Sequence, residues 1–461
     1  MTISDLEKPE AIEEYDDNGL TRSPTAVDDI GRADALQKTT SAASAKVKAT
    51  IGNVLSATAS RVTTRHITDP GPAPDGGIKA WIQVAMAFLT CVSTWGYINS
   101  FGVFQTYYTE ALGETPSTVS WVGSLQLFVI FAVSVFSGRA LDAGLFLPTF
   151  VTGAVIQVVG IFSNSFSKTF WQLLLSQGVC TGLGSGIVFC PAMGIVTTYF
   201  LENRALAIAI VSTGNSVGGI VYPIIVRSLL PKIGFAWTIR ALGFVNLACL
   251  ATATACFRAR LPPRKGGPIA EISAFREVPY LCTVLAFCFV FGGLFFTYYF
   301  LGSFGRDVIG MSYTESTNLI TIFNGVGVPI RLLTGHIVDK YVGPLNGMIP
   351  LLFLNSIFAF AWTGVKSRVG MYVFAAFYGC SAGAFQCLFT TTITSLNKDM
   401  SKNGVRIGMA FSVFSLAGLT GPPIGGALLQ TNGGGRGGYM AAQIGSRKTG
   451  GHGQSAEYYY F

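Results

Sequence analysis

Charged residues are scarce in this chain: they make up 12% of its 461 residues, while 50% are hydrophobic. A soluble domain carries about 25% charged residues. So few charged residues cannot form the polar surface that a soluble protein presents to water, which excludes an ordinary soluble protein. We therefore predict that most of the apolar surface faces lipid. The net charge of +8 does not indicate nucleic-acid binding, because the basic residues stand singly in short loops between apolar runs.

Histidine is also rare, and several motifs that enzymes and metal sites use are missing. The three histidines, His66, His336 and His452, are far apart in the sequence. The nine cysteines lie mostly within apolar runs without metal-ligand spacing, as expected of small apolar residues. No H-E-x-x-H motif or phosphate-binding loop is present. We therefore expect no enzymatic activity, metal or cofactor.

Apolar runs long enough to cross a bilayer, which takes about 20 residues, follow one another from residue 80 onward. They fall into two sets, at about 80–104, 118–137, 145–163, 170–198, 205–229 and 236–257, and then at 279–302, 316–338, 345–364, 370–396 and 407–429. We expect a six-helix half over 75–257, a linker over 258–278 and a second half over 279–430, in which five helices are visible. Lys and Arg are more frequent in the loops on the side of the N-terminus and linker, which predicts that this side is cytoplasmic.

Both ends of the chain are polar. Residues 1–74 have no sustained hydrophobic period and are expected to form a disordered cytoplasmic tail. Residues 431–461 are Gly-rich and polar, where a twelfth helix would be expected in a symmetric pair of halves. We therefore predict a twelve-helix architecture without its last helix, either because an aberrant segment stands in its place or because the last helix is truly absent.

Two similar polar turns lie about 200 residues apart. The first runs from Gly138 to Gly144 with Asp142 inside it, and the second from Gly335 to Gly343 with Asp339 inside it. An internal repeat within a hydrophobic array is typical of a secondary transporter built from two halves.

The repeated turns also suggest a gate. A carboxylate at a helix end accepts hydrogen bonds from exposed N–H groups of a neighbouring helix, so Asp142 and Asp339 are predicted to form a cytoplasmic gate. Arg139 is expected to pair with a carboxylate across the two halves. The alternative is that all three residues only anchor the topology.

Arg331 is the strongest single candidate for solute binding, because it lies inside the apolar run 316–338. A charge at that depth is costly, so we expect it to face a cavity or a partner, where its planar fork suits a carboxylate. The alternative is that it extends to the membrane surface. Five polar residues inside apolar runs are expected to line the same cavity or to form hydrogen bonds between helices: Asn99, Gln126, Asn215, Asn324 and Gln386. Asn99 and Asn324 are the ones we expect to bind solute. Tyr298, Tyr299 and Phe300 are expected in an aromatic belt at the membrane interface.

These residues together resemble the major facilitator superfamily, over about 75–430. The two turns resemble its repeated loop, with Ala143 where a second basic residue is usual. The segments Asp75–Trp81 (DGGIKAW) and Tyr199–Ala207 (YFLENRALA) resemble the monocarboxylate-transporter-like branch found in fungi. Proton-coupled animal members of that family have a lysine where this chain has Asn99 and an aspartate where it has Gly327, whereas the substrate arginine is kept as Arg331. Similar fungal members are associated with riboflavin uptake or secondary-metabolite export.

We therefore predict an all-α polytopic membrane protein with the major facilitator fold. Its expected function is secondary active transport of a small organic solute, a monocarboxylate or another small metabolite, by alternating access. Alternatives are a riboflavin or secondary-metabolite transporter and a non-transporting sensor on a transporter scaffold. The expected partners are the solute, the lipid bilayer and the proton as coupling ion, without nucleic acid. The plasma membrane is the expected location, with the vacuolar membrane as the alternative.

Overall fold

The computed structural model describes residues 73–260, 271–397, 403–431, 437–439 and 443, and within these ranges the chain is helical without any strand. The first set of apolar runs forms α1 (Gly77–Cys91), α2 (Tyr97–Asn99), α3 (Phe101–Leu112), α4 (Pro116–Asp142), α5 (Phe146–Asn164), α6 (Phe170–Leu173), α7 (Gly182–Tyr199) and α8 (Arg204–Cys256). The second set forms α9 (Val278–Asp307), α10 (Tyr313–Ile337), α11 (Pro344–Ala361), α12 (Arg368–Ser395) and α13 (Asn403–Thr431).

Short segments of other helical geometry connect or extend these helices. π-Helical turns join α1 to α2 (Val92–Gly96), join α6 to α7 (Leu174–Thr181) and extend α10 (Val338–Val342). 3₁₀-Helices precede α9 (Ile272–Arg276) and follow α11 (Trp362–Gly364).

Nine helices in the described part of the chain are long and apolar enough to cross a membrane. α8 counts once among the nine, although non-helical angles at Gly234 divide it into two helices. α10 is long enough but is not among them, as expected of a helix that carries Asn324 and Arg331. The eleven predicted apolar runs therefore all fall on helical segments, although the first and fourth runs each contain a π-helical turn and the fifth and sixth share α8. Large apolar side chains such as Phe136 and Phe353 are exposed on the outer surface, as in a protein surrounded by lipid.

The described helices form two sets, which we call the N-terminal half (residues 77–256) and the C-terminal half (residues 278–431). Two long seams join them, one between the first part of α8 and α10, the other between α4 and α13. In the first seam, contacts run in opposite directions along the two helices: Arg227 with Asn318, Gly219 with Asn324, and Ser212 with Arg331. These two helices are therefore antiparallel.

A third contact between the halves lies at one end only. We call the end of the bundle near Glu110 the far end, and the end near Gly77 the near end. At the far end the Thr106 hydroxyl is 3.3 Å from that of Ser303, and Arg306 forms an ion pair with Glu110. The Ser117 hydroxyl also donates to the Pro423 carbonyl, at 2.9 Å. The far end is thus closed by polar contacts between the halves.

The segment before α9 is fixed to the start of α13. Arg406 forms ion pairs with Glu277 (2.7 Å) and Glu271 (3.2 Å). The structure describes the predicted linker except for residues 261–270. The predicted tail 1–74 and the predicted absence of a twelfth helix fall almost entirely on residues outside the described part as well.

Candidate functional site

A π-helical turn shapes the first helix where it meets the centre of the bundle. In a π-helix the backbone hydrogen bond spans five residues rather than four, and one carbonyl is commonly left for another partner. The Ser93 carbonyl in this turn accepts a hydrogen bond from the Gln157 amide at 2.9 Å. At the end of the turn, Gly96 lies so close to α8 that a Cβ there would be 2.4 Å from the Gly218 Cα. The turn is thereby held against its own half.

Trp95 lies within this turn and is 3% exposed. Its ring contacts Phe131 and Phe189, both with centroids at 5.3 Å, and reaches Phe295 of the other half at 6.5 Å. Trp95 therefore lies at the boundary between the two halves.

A small cavity of about 20 Å³, which is room for about one water molecule, lies at this boundary. We call its two sides the N-terminal wall (Cys91, Trp95, Phe189, Met193, Ile208, Ser212 and Asn215) and the C-terminal wall (Phe291, Gln386, Cys387, Phe389 and Thr390). Both walls are mainly apolar and aromatic, with a few amide and hydroxyl groups, which is the usual composition of sites for organic ligands. No lining side chain is charged.

Arg331 lies directly behind the cavity and is 1% exposed. Its Nη1 donates to the Ser212 carbonyl at 2.6 Å, its Nη2 to Gln386 Oε1 at 2.8 Å, and its Nε to the Gly383 carbonyl at 3.3 Å. Ser212 belongs to the other half, so the arginine joins the two halves. Among the side chains that the structure describes, no carboxylate lies within 4.0 Å of it. Its burial contradicts the alternative in which it extends to the membrane surface.

Arg331 begins a series of four hydrogen-bonded side chains, which we call the polar chain: Arg331, Gln386, Tyr298 and Asn324. Gln386 Nε2 donates to the Tyr298 hydroxyl at 3.1 Å, and that hydroxyl lies 3.5 Å from Asn324 Oδ1. Asn324 Nδ2 donates to Ile320 O at 3.0 Å and reaches Gly219 O, across the seam, at 3.4 Å. The structure therefore brings two predicted site residues, Arg331 and Asn324, into one network. Asn324 forms hydrogen bonds between helices and does not line the cavity.

The prediction of an aromatic belt is wrong for Tyr298, Tyr299 and Phe300. All three side chains are buried, and Tyr298 belongs to the polar chain. The predicted apolar run ends at residue 302, but α9 continues to Asp307. At a rise of about 1.5 Å per residue, this places Tyr298 more than two turns inside the helix end and away from the interface.

Asn99, the third predicted site residue, is buried, and neither atom of its amide group makes a hydrogen bond within the described part of the chain. It is not connected to the polar chain. Trp95 Nε1 and Asn215 Oδ1 also lack a hydrogen-bond partner among the described residues. Leaving such a group buried and unpaired costs about 1–3 kcal/mol. Sequence reasoning missed Trp95, because an aromatic residue in an apolar run gives no signal of a polar function.

The two repeated turns both end on a glycine of the same φ, although the hydrogen bond of that glycine spans three residues in the first turn and five in the second. Gly144 and Gly343 both have φ of +78°, a left-handed conformation that favours glycine. Their N–H groups donate to Leu141 O at 2.9 Å and to Val338 O at 3.0 Å. Arg139 lies in the last turn of α4. The side chains of Asp142 and Asp339 lie outside the described part, so the predicted gate stays a prediction.

Two helical halves that meet at a cavity, with apolar side chains exposed around them, are the architecture of multi-pass membrane transporters built from two halves. The Major Facilitator Superfamily model matches residues 86–422. The chain belongs to the major facilitator superfamily.

Fungal proteins of this family are similar to the chain over most of their length. It is 42% identical to an MFS-type transporter of Gibberella zeae, over 78% of this chain and 82% of that protein. It is 36% identical to MFS-type transporter 1 of an Ophiocordyceps species, over 82% and 84% of the two chains. It is 33% identical to an aspyridones efflux protein of Emericella nidulans, over 79% and 74%. These names support transport and, in one case, efflux, and they leave the monocarboxylate-like branch a prediction.

Proposed function

We propose that this chain exports a small organic solute with an apolar, ring-bearing body by alternating access of its two halves. The observation that carries the proposal is the composition of the cavity between the halves. Trp95 and Phe189 line one wall and Phe291 and Phe389 the other, and flat aromatic side chains on two facing walls suit a planar apolar ligand. Export is supported by the similarity to an efflux protein.

A monocarboxylate is a less suitable solute. A small anion derives most of its binding energy from a free cation, and the cavity walls carry no charged side chain. Arg331, the predicted substrate residue, already has three acceptors. Within this proposal Arg331 fixes Gln386, and Asn324 fixes Tyr298. Asn99 offers a polar group to a solute that enters between the halves.

The direction of opening is suggested by the positions of the contacts. Thr106, Ser303, Glu110 and Arg306 hold the halves together at the far end. Met193 and Thr390, which line the cavity, lie toward the near-end termini of α7 and α12. We propose that a solute enters from the near end, which is the cytoplasmic side in the predicted topology, and leaves when the far-end contacts break.

The proton is the proposed coupling ion, and the plasma membrane the proposed location. Of the carboxylates whose side chains are described, none is buried. A proton carrier would then lie at an end of the bundle, where Glu110 pairs with Arg306, rather than beside Arg331.

The test is solute flux into proteoliposomes that contain the full chain, with and without a proton gradient. Three compounds separate the alternatives: 7-hydroxycoumarin as a planar ring probe, riboflavin, and lactate. Saturable flux of 7-hydroxycoumarin without lactate flux is expected. Lactate flux of similar efficiency would overturn the proposal, and a cooperatively melting protein that moves none of the three would favour the non-transporting sensor.

A further inference from the structure

The two cavity walls differ in whether an amide or indole group is left without a hydrogen-bond partner. On the C-terminal wall, Gln386 accepts from Arg331 and donates to Tyr298. On the N-terminal wall, Trp95 Nε1 and Asn215 Oδ1 are both buried and have no hydrogen-bond partner among the described residues. Buried polar groups in native proteins are nearly always paired. These two differ from the other unpaired groups of the described chain because they line the cavity, where a partner that enters between the halves can reach them.

The two groups differ in chemistry. An indole N–H only donates a hydrogen bond, whereas an amide oxygen only accepts one. We infer that Trp95 Nε1 and Asn215 Oδ1 determine the specificity of this site, by binding a hydrogen-bond acceptor and a donor of the same planar solute. The inference rests on the proposed function and narrows its solute class to ring compounds that carry both a carbonyl and a hydroxyl or N–H group.

The geometry of Trp95 supports this assignment. The π-helical turn is held from behind by the Gln157–Ser93 hydrogen bond and by the close approach of Gly96 to Gly218. Contacts with Phe131 and Phe189 restrain the indole ring. A donor on a restrained ring loses little conformational entropy when it binds, so its hydrogen bond contributes to affinity.

Other unpaired groups in the molecule provide matched controls. Trp362 also has a buried Nε1 without a partner in the described chain, and Asn355 has such an Oδ1. Neither residue lines the cavity. Trp362 lies in the 3₁₀-helix after α11, and its ring stacks on that of Phe374, with centroids at 5.6 Å.

The experiment measures the affinity of the purified full chain for three probes by calorimetry. 7-Hydroxycoumarin carries a carbonyl and a hydroxyl, 7-methoxycoumarin lacks the hydroxyl donor, and 2-naphthol lacks the carbonyl acceptor. We expect Trp95→Phe to weaken both coumarins about tenfold and to spare 2-naphthol, because one hydrogen bond to a buried group is lost. Asn215→Leu should weaken 7-hydroxycoumarin and 2-naphthol and spare 7-methoxycoumarin. The controls Trp362→Phe and Asn355→Leu should leave all three affinities unchanged.

The outcomes separate this inference from the proposed function. If the wild type binds no probe although it melts cooperatively, both the proposed class of ring-bearing solutes and the inference are overturned. If the probes bind but Trp95→Phe and Asn215→Leu weaken all three equally or not at all, the proposed function stands and the inference is overturned. A resident water that satisfies both groups would give this second result, together with a lowered melting temperature.

Discussion

The two walls of the cavity differ in how their amide and indole groups are bonded. Behind the C-terminal wall, the polar chain joins Arg331, Gln386, Tyr298 and Asn324, and each is bonded to the next. On the N-terminal wall, Trp95 carries a donor without a partner among the described residues. A bonded network is rigid and fixes its members, whereas an unpaired group is available to a ligand. The comparison suggests that one half provides a fixed surface and the other provides the groups that select the solute.

The close packing of α10 against α12 explains why the polar chain forms in the C-terminal half. A Cβ at Gly383 would lie 2.9 Å from the Gly327 Cα, so the two helices approach closely there. Arg331 lies one turn after Gly327, and Gln386 lies just after Gly383. Small residues at a helix contact thus place the two long polar side chains within hydrogen-bond distance.

Arg331→Lys should have the largest effect, because it removes the head of the polar chain. The three acceptors of Arg331 belong to three different residues, and a single ammonium on a flexible stem cannot reproduce the planar fork. Because Ser212 and Gln386 line the cavity and each lose a charged hydrogen-bond partner worth about 1.5–3 kcal/mol, we expect the cavity wall to shift and solute affinity to fall about tenfold. The measurement is solute affinity in vesicles that contain equal amounts of the wild type and the variant. The exposed Arg368→Lys is the control, and equal affinities for wild type and Arg331→Lys would show that the fixed wall is dispensable.

Tyr298→Phe should have the next largest effect, because it removes the middle of the polar chain. Gln386 Nε2 and Asn324 Oδ1 then each lose a partner, which costs about 1–3 kcal/mol of stability. Tyr299→Phe is a matched control in the next position of the same helix, since the Tyr299 hydroxyl is buried without a partner in the described chain. Thermal unfolding should show a lower midpoint for Tyr298→Phe and an unchanged or higher one for Tyr299→Phe. The reverse order would contradict the polar chain.

Asp142→Asn and Asp339→Asn test whether the halves contribute equally at the near end. A charge at a helix terminus is worth about 0.3–1 kcal/mol, so each change should slow flux a few-fold while solute affinity stays the same. Initial rates and equilibrium binding, measured on the same preparation, separate the two quantities. Normal flux in both variants would favour the topology anchor over the gate.

Glu110→Gln should have the smallest effect, because the Glu110–Arg306 pair is partly exposed at the far end. Exposed ion pairs contribute about 0–1 kcal/mol. We expect a modest increase in labelling of a cysteine placed at Ser303, since one contact that closes the far end is weakened. Glu315→Gln, which affects an ion pair with Arg368 inside the C-terminal half, is the control. Equal labelling of both variants would mean that the ion pair does not hold the far end closed.

Hydropathy alone predicts most of this fold. Long apolar runs identify the helices, and the polar turns identify the repeat, because a bilayer imposes length and polarity directly on the sequence. The charge of Arg331 likewise identifies a position near the site, since burial of a charge requires partners. The bonding of Tyr298 and the unpaired donor of Trp95 could not be predicted, because they depend on which helix faces which and on a local π-helical turn.

The contact between Arg331 and Ser212 has an evolutionary consequence. The acceptor is a main-chain carbonyl, so any amino acid at position 212 supplies it, and mutation of that side chain alone leaves the acceptor in place. What the contact does require is alignment of the two helices, because a shift by one residue moves a carbonyl about 1.5 Å along the axis and turns it to another side. Arg331 therefore fixes the relative position of the halves in their joined state, and homologues can vary at position 212 without loss of that alignment.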